Sequence, residues 1–175
     1  MKTRKIFLPM AIVAAIFSTA FSSDGKNDKI EWFGFTEALE KGKAEKKIIV
    51  VDFYTDWCSW CKVMDEKTYG NKEIIKFAAE KVVMSKVNAE TSEKGAYRGK
   101  EYTHRQLTQG FGITGFPATV FLNENGDFIT KVPGYIPPEK FMPMLEYIDG
   151  EHYKTTPYDK FVEEREAKQA APSGQ

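Results

Sequence analysis

Cysteine and histidine are scarce in this chain, with two of each among 175 residues. Two cysteines are too few for a disulfide-stapled scaffold, and the pair with two distant histidines does not build a zinc-finger array. An excess of charge of one sign is also missing. Lys plus Arg and Asp plus Glu both count 25, so the net charge is zero and there is no electrostatic footprint for nucleic acid. No internal repeat, phosphate-binding glycine loop, nucleophile elbow or Ser/His/Asp spacing is present. What remains is 42% hydrophobic and 14% aromatic, enough apolar material for a packed core and too much for a disordered chain. One domain with extensions fits the length.

Long apolar runs are absent except at the start. Lys2, Arg4 and Lys5 precede the stretch Ile6 to Phe17, and Ser18-Thr19-Ala20-Phe21-Ser22 follows with small residues. This is the charged, apolar and small-residue order of a secretory signal peptide, cleaved near Ala20 or Ser22. An uncleaved anchor is the alternative, but a full span needs about 20 apolar residues. Residues 1–22 are therefore read as a signal peptide, 23–150 as the domain and 151–175 as a helical, then disordered, tail. Removing the leader leaves a net charge of −3 and places the protein in an oxidising exported compartment, best matched by a periplasm.

The mature chain alternates between helical and strand-like segments. A helix is expected over Thr36–Ala44, with Thr36 able to cap it. Ile48–Tyr54 is a continuous β-branched and aromatic run, the signature of a central strand covered on both faces. Helices follow over Lys62–Thr68 and from Asn71 to Glu80, and a strand over Val82–Val87. Residues 89–101 read as a loop and Tyr102–Gln109 as a short helix. Strands Ala118–Leu122 and Phe128–Val132 flank a tight Asn125-Gly126 turn. Helices are expected over Glu139–Ile148 and Pro157–Lys168, with Ala170–Gln175 disordered. The class is α/β with a mixed sheet.

The chemistry concentrates in Trp57-Cys58-Ser59-Trp60-Cys61-Lys62, directly after the apolar strand and at a helix start. Unpaired N–H groups and the helix dipole favour a thiolate there, and a second cysteine three residues on can close a reversible disulfide. The expected pair has an exposed attacking sulfur and a shielded resolving one. Three other readings stay open on the residues alone: a structural bridge, two buried thiols, and a soft-metal pair completed by His104, His152 or methionine. His104 is otherwise read as a surface residue.

Three ordered motifs carry a resemblance. Val51-Asp52-Phe53-Tyr54-Thr55-Asp56-Trp57-Cys58-Ser59-Trp60-Cys61-Lys62 resembles the active-site strand and helix start of the thioredoxin superfamily. Phe111-Gly112-Ile113-Thr114-Gly115-Phe116-Pro117-Ala118-Thr119 resembles the segment ending in that family's cis-proline. Asn125-Gly126 followed by Gly134 matches its closing hairpin. The stretch after Cys61 resembles exported members related to the C-terminal periplasmic domain of DsbD-type reductases. The resemblance implies a thioredoxin fold, a central mixed sheet flanked by helices. It also implies a thiol–disulfide oxidoreductase that reduces disulfides of exported proteins, fed by a membrane electron donor of DsbD or CcdA type. Ser59-Trp60 departs from the Gly-Pro of cytosolic thioredoxin, and the segment 90–109 is longer than its counterpart.

Residue roles follow from the resemblance. Cys58 is the attacking thiolate and Cys61 the resolving thiol. Asp52, inside an apolar strand, is the proton acceptor for Cys61. Lys86 matches a lysine that pairs with the buried acid, and Asp65 is a second acid nearby. Trp57, Trp60, Phe116 and Pro117 form the substrate-facing surface. No metal and no cofactor beyond the Cys58–Cys61 disulfide are implied, and a monomer is expected. The alternatives are a thiol oxidase or disulfide isomerase and, from another class, a copper-handling module.

Overall fold

The structure is a computed structural model that describes residues 28–171. The expected leader at 1–22, and the last four residues of the tail, lie outside the described residues.

Helix α1 (Phe35–Glu45) leads into strand β2 (Ile48–Tyr54), then α2 (Ser59–Lys67), α3 (Lys72–Lys81) and β3 (Val82–Asn88). Strands β6 (Ala118–Leu122) and β7 (Phe128–Pro133) precede α5 (Pro138–Asp149) and α6 (Tyr158–Ala170). A two-residue strand, β1 (Trp32–Phe33), comes first, in a stretch for which the sequence reading named no element. The sheet has five strands in the order β1-β3-β2-β6-β7. β1, β3 and β2 run parallel; β6 is antiparallel to β2, and β7 to β6.

The alternation of side chains along β2 divides the core in two. Ile48 and Val50 face Met64 of α2, Ile74 and Ala78 of α3, and Phe141, Leu145 and Ile148 of α5. Ile49, Val51 and Phe53 face Phe35 and Ala38 of α1, together with Val83, Val120 and Leu122. All of β2 except Tyr54 is buried, as a strand between two neighbours and two helical layers must be. Each fully buried Phe or Leu contributes about 1.5–3 kcal/mol to such a core.

Several local expectations are corrected. Gly34, not Thr36, is the N-cap of α1. The helix starts one residue earlier than expected, and the Thr36 hydroxyl instead accepts a hydrogen bond from Ala96 N at 2.8 Å. Ala96 belongs to a hairpin where a loop was expected, formed by β4 (Lys94–Tyr97) and β5 (Lys100–Thr103). Its turn places Arg98 at φ 51° and Gly99 at φ 78°, the double left-handed conformation of a tight hairpin turn. Tyr102 and Thr103 therefore end a strand. Helix α4 (His104–Gly110) begins two residues later than expected, capped reciprocally by Thr103 and Gln106. The turn after β6 is wider than a two-residue connection. Asn123 Oδ1 accepts from the N–H groups of Asn125 and Asp127 at 3.0 and 2.8 Å, and Gly126 takes φ 80°. At the C-terminus Ala170 is still helical. α6 is tied to α5 by Arg165 with Glu146, and the Tyr147 hydroxyl of α5 donates at 2.6 Å to Thr156 O in the segment just before α6.

Candidate functional site

β2 ends at Tyr54, and after four intervening residues the chain re-enters a helix at Ser59. Cys58 is the N-cap of α2, and its sulfur accepts a hydrogen bond from Cys61 N at 3.1 Å. This is the position at which sulfur meets the unpaired N–H groups of a first helical turn. Cys58 and Cys61 are joined as a disulfide with a Cα separation of 5.3 Å. The expected contrast of an exposed and a shielded sulfur is not seen: the two residues are 4% and 3% exposed. Both sulfurs lie against the same helix turn while bonded to each other, so their difference is one of position on the helix.

Because β6 runs antiparallel to β2, with Ala118 opposite Phe53, the start of β6 lies at the same end of the sheet as the cysteines. The Phe116–Pro117 peptide bond just before it is cis. Pro117 O accepts from Gly134 N at 2.8 Å, whereas no backbone hydrogen bond among the described residues engages Phe116. Trp57 meets Phe116 edge to face at 6.2 Å, and its indole N–H donates to Glu90 Oε2 at 3.0 Å. On the other side Trp60 stacks on Tyr135 at 5.5 Å. Both tryptophans are exposed, at 66% and 59%. Two braced aromatic platforms thus flank the cysteines.

Behind the motif lies a row of polar residues on one face of three adjacent strands: Lys86 of β3, Asp52 of β2 and Thr119 of β6. Asp52 is 1% exposed. Burial pushes its carboxyl up to about 7, against the opposing pull of Lys86, with the negative charge of Asp65 adding to the rise. Lys86 Nζ stands 3.9 Å from Asp52 Oδ2, is paired with Asp65, and lies 5.0 Å from the ring centres of Trp32 and Tyr54. Asp52, Lys86 and Asp65 are therefore one charge cluster.

His104, read from sequence as a surface residue, is buried: its Nδ1 lies 3.2 Å from Thr91 Oγ1 and 3.6 Å from Glu93 Oε2. It packs where the hairpin β4–β5 turns into α4, an element that its polar sequence hid. Sequence reasoning also missed Glu90, Tyr135, Tyr69 and Thr119. Only Thr119 carried a signal, as the lone hydroxyl in Ala118–Leu122, and only the strand register gives it meaning.

A chain whose sheet, cis-Pro segment and helix-capping disulfide meet in this way is a thioredoxin-like protein with a two-cysteine site, and it belongs to the thioredoxin-like domain family, whose model matches residues 35–149. Among curated proteins it is 28% identical over 104 residues to the disulfide bond reductase DsbH of Chlamydia pneumoniae, covering 59% of this chain and 62% of that protein. It is 29% identical over 110 residues to the thiol:disulfide interchange protein DsbD of Ralstonia nicotianae, 62% of this chain but 17% of that one. The chain thus spans less than two thirds of either relative. Among solved structures, a thioredoxin-fold protein from Helicobacter pylori matches with a TM-score of 0.59 at 20% identity, over 82% of this chain and 91% of that one. A DsbH oxidoreductase matches at 0.52 and 23% identity, over 83% and 92%. These likenesses show the fold. No helix among the described residues is long and apolar enough to cross a membrane.

Proposed function

We propose that this protein reduces disulfides of exported proteins in the periplasm, with residues 23–150 as the working unit and residues 1–22 as a cleaved leader. The observation that carries the reading is the Cys58–Cys61 disulfide at the N-cap of α2. The reductive direction draws support from the relative named as a disulfide bond reductase.

In the reduced protein the Cys58 thiolate, favoured by the helix N-terminus, attacks one sulfur of a substrate disulfide. The substrate S–S bond breaks, a mixed disulfide with Cys58 forms, and the second substrate sulfur leaves as a thiolate that takes a proton from water. Cys61 then gives its proton to Asp52 and attacks Cys58 Sγ. The Cys58–Cys61 disulfide forms, the displaced substrate sulfur takes the proton that Asp52 received, and the substrate departs as a dithiol. Two electrons have moved from the cysteine pair to the substrate, with no other cofactor. Buried Asp52, held at about 7, suits a group that must accept a proton near neutral pH and give it back.

Phe116, with its free backbone groups beside Trp57, would receive an extended substrate strand next to Pro117, and the platforms of Trp57 and Trp60 its apolar side chains. Lys86 and Asp65 set the field around Asp52. A membrane donor of DsbD or CcdA type would return the electrons, and the protein would act as a monomer.

Cys61→Ser removes the resolving thiol while leaving Cys58 able to attack. Incubated with a disulfide-bonded protein such as insulin, this variant should accumulate a covalent adduct on a non-reducing gel and turn over no substrate. Continued turnover without an adduct would overturn the reading.

A further inference from the structure

Asp52 Oδ2 faces Lys86, but Asp52 Oδ1 is buried without a hydrogen-bond partner among the described residues. Two other orphaned oxygens belong to the same place: the Tyr69 hydroxyl and Thr119 Oγ1, on residues 4% and 0% exposed. Thr119 stands directly opposite Asp52 in the β2–β6 register. Tyr69, in the turn after α2, is near enough to both that each bears on its phenol, while burial and the Asp52 charge hold that phenol well above its usual range. Its ring is fixed edge-on against Trp32 at 4.9 Å and Phe141 at 5.7 Å. Three buried oxygens left unpaired together are costly unless they serve one another.

We propose that Tyr69 and Thr119 are positioning residues for Asp52, their hydroxyls together forming the hydrogen-bond site for Oδ1 in both of its protonation states. The inference rests on the reading of Asp52 as the proton acceptor for Cys61. The chemistry distinguishes these groups from Lys86. A lysine ammonium only donates and so serves only the carboxylate; a hydroxyl both donates and accepts. When Asp52 is ionised the Tyr69 O–H donates to it, directly or through a water. When Asp52 carries the proton on Oδ1, that O–H donates back to Tyr69 or Thr119. The proton can then come and go without rearrangement of the sheet. The remaining charged groups facing Asp52 are Lys86 from β3 and Asp65 from α2. From α5 the packing partner of Tyr69 is the apolar ring of Phe141.

The test is a titration of the Asp52 side-chain carboxyl carbon by NMR in the oxidised protein, for the parent chain, Tyr69→Phe and Thr119→Val. Both substitutions keep the shape and remove one oxygen; because a hydrogen bond to the ionised carboxylate is roughly twice as strong as one to the neutral acid, each costs the ionised form more. The midpoint, near 7 in the parent, should rise in both variants, by about one pH unit for Tyr69→Phe. A midpoint that stays in place or falls in both, even alongside a loss of stability equal at every pH, would overturn the proposal and leave the two hydroxyls as packing groups. Thr119→Val keeps the β-branched strand residue and so serves as the test if Tyr69→Phe does not fold. No substrate or electron donor is present in this titration. A failure of the oxidoreductase reading would show separately, as missing reductase activity with the titration intact.

Discussion

At the scale of single residues, Asp52 is the most consequential side chain outside the cysteines, because the fold holds an ionisable carboxyl where water hardly reaches. An unfolded aspartate ionises near 3.9, and Asp52 in the fold near 7. Below about pH 4 both states keep the proton and the burial costs nothing extra. Between pH 4 and 7 the unfolded chain releases its proton while the fold retains it, so stability falls as pH rises; above 7 the full cost is present. Asp52→Asn removes this slope. In urea unfolding of the oxidised protein, the variant's stability relative to the parent should grow between pH 4 and pH 8 by on the order of 4 kcal/mol. A difference that is flat across that range would mean that Asp52 is not held protonated. Cys58, Cys61 and Asp52 were legible in the sequence because their meaning is local: a pair at a helix start and an acid inside an apolar run. Glu90 and Tyr135 were not, because their partners Trp57 and Trp60 are far along the chain and only the folded sheet end brings them together.

At the scale of elements, the closeness of α1 to the sheet depends on one glycine. A Cβ on Gly42 would sit 2.5 Å from Ile49 Cγ1 and 3.2 Å from Lys47 O, and Ile49 is fully buried in the central strand. Gly42→Ala should therefore destabilise the protein by about 1–3 kcal/mol from overpacking, despite the gain of nearly 1 kcal/mol in helix propensity. Thermal or urea unfolding would measure it, and a stabilised variant would contradict the close approach. The same scale shows why β2 was legible and β4–β5 was not. β2 lies between two strands and two helical layers, so burial writes itself into every residue from Ile48 to Phe53. The hairpin is an exposed two-stranded ribbon with Lys94, Lys100 and Glu101 on its surface, and its turn is made by Arg98-Gly99 rather than the usual Asn-Gly. Its polarity imitates a loop. Tyr97 and Tyr102, which pack onto the α1 side of the core, were the signal available.

At the scale of the whole molecule, the topology brings separate stretches of chain to one end of the sheet. The parallel pair β2–β3 supplies Asp52 and Lys86, the antiparallel β6 supplies Thr119 and the cis-Pro segment, and the turn out of β2 supplies the cysteines. The disulfide is thus set on a rigid sheet end with a buried acid behind it and aromatic platforms in front, the layout of a reversible two-electron couple. The equilibrium reduction potential of Cys58–Cys61 against a glutathione buffer tests this most directly. A reversible two-electron couple below about −200 mV, in the range of thioredoxin and glutaredoxins, is the expected result. A potential near about −120 mV, that of a strong oxidant, or no reversible couple at all, would contradict it.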